Sequence, residues 1–448
     1  MSKEKNYLKL KKGIGQKLWS RAKKIIPGGS MLFSKNPDLF LPDFWPSYFT
    51  KTKGYNIWDV DKKKYIDLCS MGIGTNILGY SNREVDSAVL EVVKNGNMST
   101  LNSSEEIFLA EKLVDMHPWA DMARFTRTGG EANAVAIRLA RAATNRDKIA
   151  VCGYHGWHDW YLSANLSNPR NLDSHLLKNL KIKGVNKSLK DTVLVFDYNN
   201  FNQLEKIVNK HDIAAVIMEV SRNYKPENNF LEKVRSLTKR KNIVLIFDEC
   251  TSGFRQNFGG LHLFYKINPD LATFGKALGN GYSICAVLGR KEIMESTKNT
   301  FISSTFWTER IGSVAALKTL EIMEKIRSWK IISKTGLIFK KKLLDLANLY
   351  NFKINIEGLD ALPRYNFLDK NNLYYKTYIT QEFLKRDILA NNSIYLSICH
   401  TKKIIDKYFY HLNDIFSKIS KIKKNHQNIK SFLEGPVCLG GLRYNEKK

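Results

Sequence analysis

One lysine in this sequence stands where a plain surface charge is out of place. Lys276 follows the apolar run PDLATFG (269–275) and precedes the turn Gly279-Asn280-Gly281, with Phe274, Gly275, Ala277 and Leu278 around it. A lysine kept from water gives up its proton more readily, and its amine becomes a nucleophile. The plainer alternative is a side chain that snorkels to solvent. A second candidate is IVLIFDEC (243–250), an apolar run ending in Asp248-Glu249. At the C-terminal end of a parallel strand, a carboxylate points into the ligand crevice. There it can bind a metal or pair with a cationic ring; otherwise it is a solvated strand end. A nucleotide-triphosphatase reading of this acidic strand needs a GxxxxGK[ST] loop, and the chain has none; GIGQK (13–17) has the wrong spacing.

Two further stretches complete the set. RFTRTGGEANAVAIRLARAATNR (124–146) puts Thr128-Gly129-Gly130 between a strand-like segment and an amphipathic helix. Such a turn leaves backbone N–H groups bare at the positive end of the helix, which suits a phosphate; a plain strand-to-helix turn has the same look. GYHGWHDWY (153–161) is rich in aromatics, and Tyr154 at a strand end can stack on a planar ring. His155 and His158 raise the question of a metal, but no third ligand stands nearby and aromatic clusters are usually core. In chain order these segments offer an anion turn, a stacking aromatic, a strand-end acid and a lysine. Those are the four needs of pyridoxal 5'-phosphate: its phosphate, its ring, its pyridine nitrogen and its aldehyde.

The elements that must position them read as an α/β fold. DKIAVCGY (147–154), DTVLVFDY (191–198), IAAVIMEV (213–220), NIVLIFDE (242–249), PDLATFG (269–275) and CAVLGR (285–290) have the look of buried strands, separated in several places by helical patterns such as 131–144 and 228–240. That alternation predicts a mostly parallel sheet covered on both faces. The stretch to about Tyr55 shows no clean period and reads as an irregular arm. A hairpin is expected over 55–69, and the chain turns strongly helical after Thr308 (311–329, 334–350, 380–391, 402–422). The expected division is an N-terminal arm with part of a small domain over 1–70, a large cofactor-binding domain over 71–310, and a C-terminal small domain over 311–448.

The motifs TGGEANAVAIRLARAATNRDKI, GYHGWHD, FDECTSGFR and FGKALGNGY, in that order, resemble the class III (subgroup II) aminotransferases of PLP fold type I. Within them the chain is most similar to glutamate-1-semialdehyde 2,1-aminomutase and its aminotransferase relatives, over about residues 21–408. The resemblance implies a large domain with a mostly parallel seven-stranded sheet and a smaller α+β domain built from both chain ends. It implies Lys276 as the Schiff-base lysine and proton shuttle, and Asp248 as the partner of the pyridine nitrogen. Thr128, Gly129 and Gly130 would cradle the phosphate, Tyr154 would stack on the ring, and Glu219 would lie near the cofactor. Thr305 would reach the phosphate of a neighbouring subunit, which implies a homodimer with shared sites.

Departures fall around the substrate. Thr-Gly-Gly replaces the usual Ser-Gly-Thr, FWTERIG (306–312) replaces a GNP-type segment, and Asn391-Asn392 stand near where the aminomutase carries an acid. They favour transfer between an amino donor and a separate carbonyl acceptor over the intramolecular aminomutase reaction. Arg222, Trp307, Glu309 and Arg310 are candidate substrate contacts, each equally readable as an ion pair or packing residue. A catalytically silent basic protein on the same scaffold is the remote alternative.

Composition agrees with a folded enzyme. Of 448 residues 43% are hydrophobic and 11% aromatic, enough for a sizeable core. The formal net charge is +28, from 71 Lys and Arg against 43 Asp and Glu. The excess is spread along the chain rather than gathered on one segment, which reads as a solvated surface and not as a specific nucleic-acid footprint. Six cysteines stand far apart with no CxxC pair, so they are expected as reduced thiols. The charged opening MSKEKNYLKLKK lacks the apolar stretch of a secretory signal, and the strongest apolar runs are strand-length. A cytoplasmic protein with no membrane segment and small-molecule substrates is expected.

Overall fold

The computed structural model describes residues 9–441; the first eight residues of the charged opening lie outside them. Two compact units result. One takes the chain up to Ile73, residues 79–81, and everything from Ile332 onward; the other takes 74–78 and 82–331.

The strands are β1 (Phe49–Lys53), β2 (Asn56–Asp59), β3 (Lys64–Leu68), β4 (Met122–Thr126), β5 (Lys148–Cys152), β6 (Val193–Val195), β7 (Ile213–Met218), β8 (Val244–Asp248), β9 (Leu271–Phe274), β10 (Cys285–Gly289), β11 (Ile354–Glu357), β12 (Arg364–Phe367) and β13 (Ile388–Ala390). The larger unit holds a seven-stranded sheet of order β4-β10-β9-β8-β7-β5-β6. β6, β5, β7, β8 and β9 are mutually parallel. β10 runs antiparallel to both β9 and β4, so β4 points the same way as β9. The central strands are continuous apolar runs; every residue of β7, β8, β9 and β10 is buried. Strands covered on both faces need no polar alternation. The C-terminal ends of β4, β5, β7, β8 and β9 therefore share one edge, and the chain leaves each of them into a segment that carries one of the chemical candidates.

The helix Arg310–Ile326 belongs with this larger unit, which runs to Ile331 rather than to the expected 310, because it packs on the helices Arg83–Asn95 and Glu105–Asp115. Arg327 takes a left-handed φ of 51° that ends it, and the helix Ser328–Leu349 starts at once.

In the other unit, β1, β2, β3 and β13 form a four-stranded sheet and β11 pairs with β12. β2 and β3 are the expected hairpin, turning at Lys62 with φ 64°. The arm is more regular than its sequence suggests: it carries the helix Ile14–Ile25 and β1. The helix expected over 380–391 is displaced. It spans Asn372–Leu384, the chain turns at Asp387 with φ 57°, and the fully buried Ile388–Ala390 becomes β13, parallel to β3. A short buried apolar run does not tell strand from helix by itself. In the core, Tyr408 of the helix Lys402–Lys424 stacks on Phe383 and meets Phe339 at a tilt. No helix among the described residues is long and apolar enough to cross a membrane.

Candidate active site

The helix Gly129–Thr144 begins directly after β4. Thr128 accepts a hydrogen bond from the Glu131 N–H at 3.3 Å, and the Glu131 carboxylate accepts from the N–H groups of Arg127 and Thr128 at 3.0 and 2.9 Å. This capping box fixes where the helix starts. It leaves the amides of Gly129 and Gly130, the first two of the helix, without an acceptor among the described residues. At Gly129 a Cβ would stand 3.1 Å from the Cys250 sulfur, so the glycine lets the helix start pack against the segment after β8.

Asp248 ends β8 and is buried. Its carboxylate accepts from Asn133 Nδ2 at 2.8 Å, from the Cys250 N–H at 3.0 Å and from His155 Nδ1 at 2.9 Å. Burial opposes its charge, yet the bonds from His155, Cys250 and Asn133 outweigh that and hold the carboxyl at about 2. The other His155 nitrogen faces the Cys152 carbonyl at 3.2 Å, so both ring nitrogens meet acceptors. Thr273, directly opposite Asp248 in the β8–β9 register, donates to Asn133 at 2.8 Å. His155 is the functional residue that the sequence reading missed as such: two histidines in an aromatic stretch suggested only a metal or core. The signal available was its place three residues past a strand that lies beside β7 in the same sheet.

Lys276 comes three residues after Thr273. Its Nζ donates to Thr251 Oγ1 at 2.7 Å, and its backbone φ is 43°. That left-handed conformation is disfavoured for a side-chain-bearing residue and clusters at functional sites. The preceding Gly275 admits the Cys285 sulfur, which would lie 2.6 Å from a Cβ there. Thr251 follows Asp248 by three residues, so the strand-end acid and the lysine are joined through one short turn. Glu249, also buried, turns the other way: it takes the N–H and Nδ1 of His262 at 2.8 and 2.9 Å and the hydroxyl of Ser252. Burial opposes that charge too, and the bonds to His262 and Ser252 leave the carboxyl below its usual range.

Tyr154 and Glu219 leave β5 and β7. The Tyr154 N–H donates to Glu219 Oε2 at 3.3 Å, and Glu219 pairs with Arg222 at 3.0 Å. Gly153, at φ 112°, lets them meet, since a Cβ there would stand 2.8 Å from Glu219 Oε2. Burial pushes the Tyr154 phenol up. Tyr154, Glu219, Arg222, His175, Tyr198 and Tyr224 are among the residues lining a cavity of about 340 Å³ at this edge.

Thr305 lies elsewhere, exposed in a single 3-10 turn, Thr305–Thr308. The candidate substrate contacts beside it have partners within the chain. Glu309 caps the helix Arg310–Ile326 and pairs with Arg127 at 3.0 Å, Arg127 also donates to the Trp307 carbonyl at 2.8 Å, and Arg310 pairs with Glu105 at 2.6 Å. His158 stacks on Trp157 rather than joining His155, and no group of three or more His, Cys, Asp or Glu able to hold a metal exists among the described residues.

Comparison with known proteins agrees with this arrangement. The class-III aminotransferase family profile matches residues 43–409. The chain belongs to the class-III aminotransferases. It is 33% identical over 431 residues to the 3-aminobutyryl-CoA aminotransferase of Cloacimonas acidaminovorans, covering 93% of this chain and 99% of that one. It is 34% identical over 426 residues to the glutamate-1-semialdehyde 2,1-aminomutase of Nitrosopumilus maritimus, covering 88% and 97%. Among solved structures, the FumI protein of Sphingopyxis sp. MTA144, determined with PLP, superposes with a TM-score of 0.82 at 25% identity, covering 94% of this chain and all of that one. The seven-stranded, mostly parallel sheet is that of PLP fold type I, and the protein is a PLP-dependent enzyme of amino transfer. The residues at the sheet edge suit that cofactor: bare amides at a helix start for a phosphate, and a buried carboxylate kept ionised for a protonated ring nitrogen.

Proposed function

We propose that this chain is an aminotransferase that moves an amino group from an amine or amino acid to a separate carbonyl acceptor. Lys276 is the catalytic lysine and Asp248 the partner of the pyridine nitrogen. The observation that carries this reading is the register of β8 and β9. Asp248 stands opposite Thr273, Lys276 follows three residues later, and Thr251, three residues after Asp248, holds the lysine amine at 2.7 Å.

Bound pyridoxal phosphate supplies an electron sink. The chain supplies the rest. Lys276 Nζ would hold the cofactor's aldehyde carbon, and as a free amine it would take a proton from the substrate carbon and return one. Asp248, braced by His155 and Asn133, stays ionised and would keep a proton on the ring nitrogen. The amides of Gly129 and Gly130, with Thr128, would take the phosphate, Tyr154 would cover the ring, and Glu219 would lie beside it. Thr305 would serve the partner subunit of a homodimer. The exposure of Thr305 supports this, as do exposed Phe301 and Phe306 on the same segment (83% and 68% exposed) and exposed Leu101 (81%). A cytoplasmic setting fits six cysteines that are all free.

The test is a half-reaction screen. Amines are mixed singly with the holoenzyme and loss of the cofactor's visible absorbance is followed, with 3-aminobutyryl thioesters in the first panel because of the Cloacimonas relative. Bleaching by an amine, and recovery on adding a carbonyl compound, is the expected outcome. The second reading, an intramolecular aminomutase, is favoured by the 34% identity to the Nitrosopumilus protein. It requires turnover of glutamate-1-semialdehyde with no added donor, and that result would replace the first reading.

A further inference from the structure

Lys276 Nζ has one hydrogen-bond partner among the described residues, the hydroxyl of Thr251. The neighbouring Cys250 thiol is pushed up by a hydrogen bond with Cys285 and by burial. Thr251 is buried, 5% exposed, and its position is fixed independently of its hydroxyl. Its carbonyl accepts from Arg255 Nε at 2.6 Å, the Arg255 guanidinium reaches the Gly74 carbonyl, and Gly253 N–H closes the turn on the Glu249 carbonyl at 2.7 Å. The turn would therefore keep its shape without that oxygen, whose only hydrogen-bond partner among the described residues is the lysine.

We infer that Thr251 is a positioning residue for the lysine amine, acting through its hydroxyl. This rests on Lys276 being the catalytic lysine. A hydroxyl accepts from an ammonium and donates to a neutral amine. It can therefore hold Nζ in one place in both protonation states. When Nζ takes the proton from the substrate carbon, its lone pair becomes an N–H bond and the extra positive charge is shared with the Thr251 oxygen. When the proton is returned, the hydroxyl can turn its own hydrogen to the amine. The proton passes only between carbon and Nζ, and the Thr251 hydroxyl keeps its own throughout. The conformation of Lys276, with φ 43°, leaves little slack in aiming the side chain, so a fixed endpoint for Nζ matters more here than for a lysine on a regular element.

The test uses the full-length chain before cofactor is added, with Thr251→Val and Thr251→Ser. Valine keeps the volume and removes the acceptor; serine keeps the hydroxyl. Competitive acetylation by acetic anhydride at fixed pH, read by mass spectrometry on the Lys276 peptide, reports the amine alone. Losing the hydroxyl frees Nζ from its hydrogen-bond partner, so Thr251→Val should be acetylated roughly fivefold faster than wild type, with Thr251→Ser within about twofold of it. Wild-type labelling in Thr251→Val, or equal labelling of the valine and serine variants, overturns the inference. Near-UV circular dichroism shows whether each variant keeps its packing, and a valine variant that unfolds would itself overturn it by showing the hydroxyl to be structural. Formation of a cofactor adduct on Lys276 in wild-type protein is scored separately, so failure of the catalytic-lysine reading is told apart from failure of this one.

Discussion

At the scale of single residues, the site is a set of charges whose burial is offset by aimed hydrogen bonds. Asp248 illustrates the balance: desolvation raises its pKa, and His155, Cys250 and Asn133 bring it down to about 2. Because the folded value lies below the ordinary carboxylate value near 3.9, this ionisation stabilises the fold above that pH and its contribution fades as pH falls through about 2. Replacing His155 by Phe removes the largest of the bonds that oppose burial and lets burial push the carboxyl up. The expected cost is about 1–3 kcal/mol near neutral pH, shrinking as the pH falls and lost below about pH 2, where Asp248 is protonated with or without the histidine. Urea melts at pH 7, 4 and 3 check this; a cost that does not vary with pH contradicts it. The backbone of Lys276 gives a second prediction. At φ 43° a glycine is at ease and an alanine is not, so Lys276→Gly should be about 1 kcal/mol more stable than Lys276→Ala, both without amino-transfer activity.

At the scale of elements, the sheet brings distant residues to one edge, and this is where sequence and structure can be compared most usefully. The strands were legible because β5, β7, β8, β9 and β10 are apolar runs with no polar alternation, and a run ending in Asp or followed by Gly-Lys announces its own chemistry. The start of the helix after Thr128 was legible from Thr-Gly-Gly and Glu131. The partnership of His155 with Asp248 was not, since 93 residues separate them and only the placement of β7 between β5 and β8 brings them together. The same limit explains β13: Ile388–Ala390 is a strand because β3 is there to pair with it, a fact no local pattern holds. Glu309 and Arg310 read equally as substrate contacts or ion pairs from the sequence, because their partners Arg127 and Glu105 come from segments about two hundred residues earlier. One element-scale prediction follows from the capping box. Thr128→Ala should cost about 1 kcal/mol of stability and loosen cofactor binding, whereas Thr128→Ser should cost little of either. Thermal melts with and without pyridoxal phosphate separate the two effects.

At the scale of the whole molecule, the charge of +28 is widely shared and the site needs none of the surface lysines. Association matters more. Phe301 and Phe306 expose large apolar area beside Thr305, and the proposed homodimer would cover it. Light scattering should give about twice the 51.5 kDa chain mass, and the double variant Phe301→Asp, Phe306→Asp should shift toward monomer and lose cofactor on dilution. A wild-type monomer that retains cofactor contradicts the shared-site proposal. The claim beneath all of these is that one amine, Lys276 Nζ, carries the cofactor. Borohydride reduction of the holoenzyme followed by peptide mapping tests it directly. The account predicts a single pyridoxyl group on the peptide containing Lys276 and none in Lys276→Ala. A pyridoxyl group fixed on another lysine, with Lys276 unmodified, would contradict it.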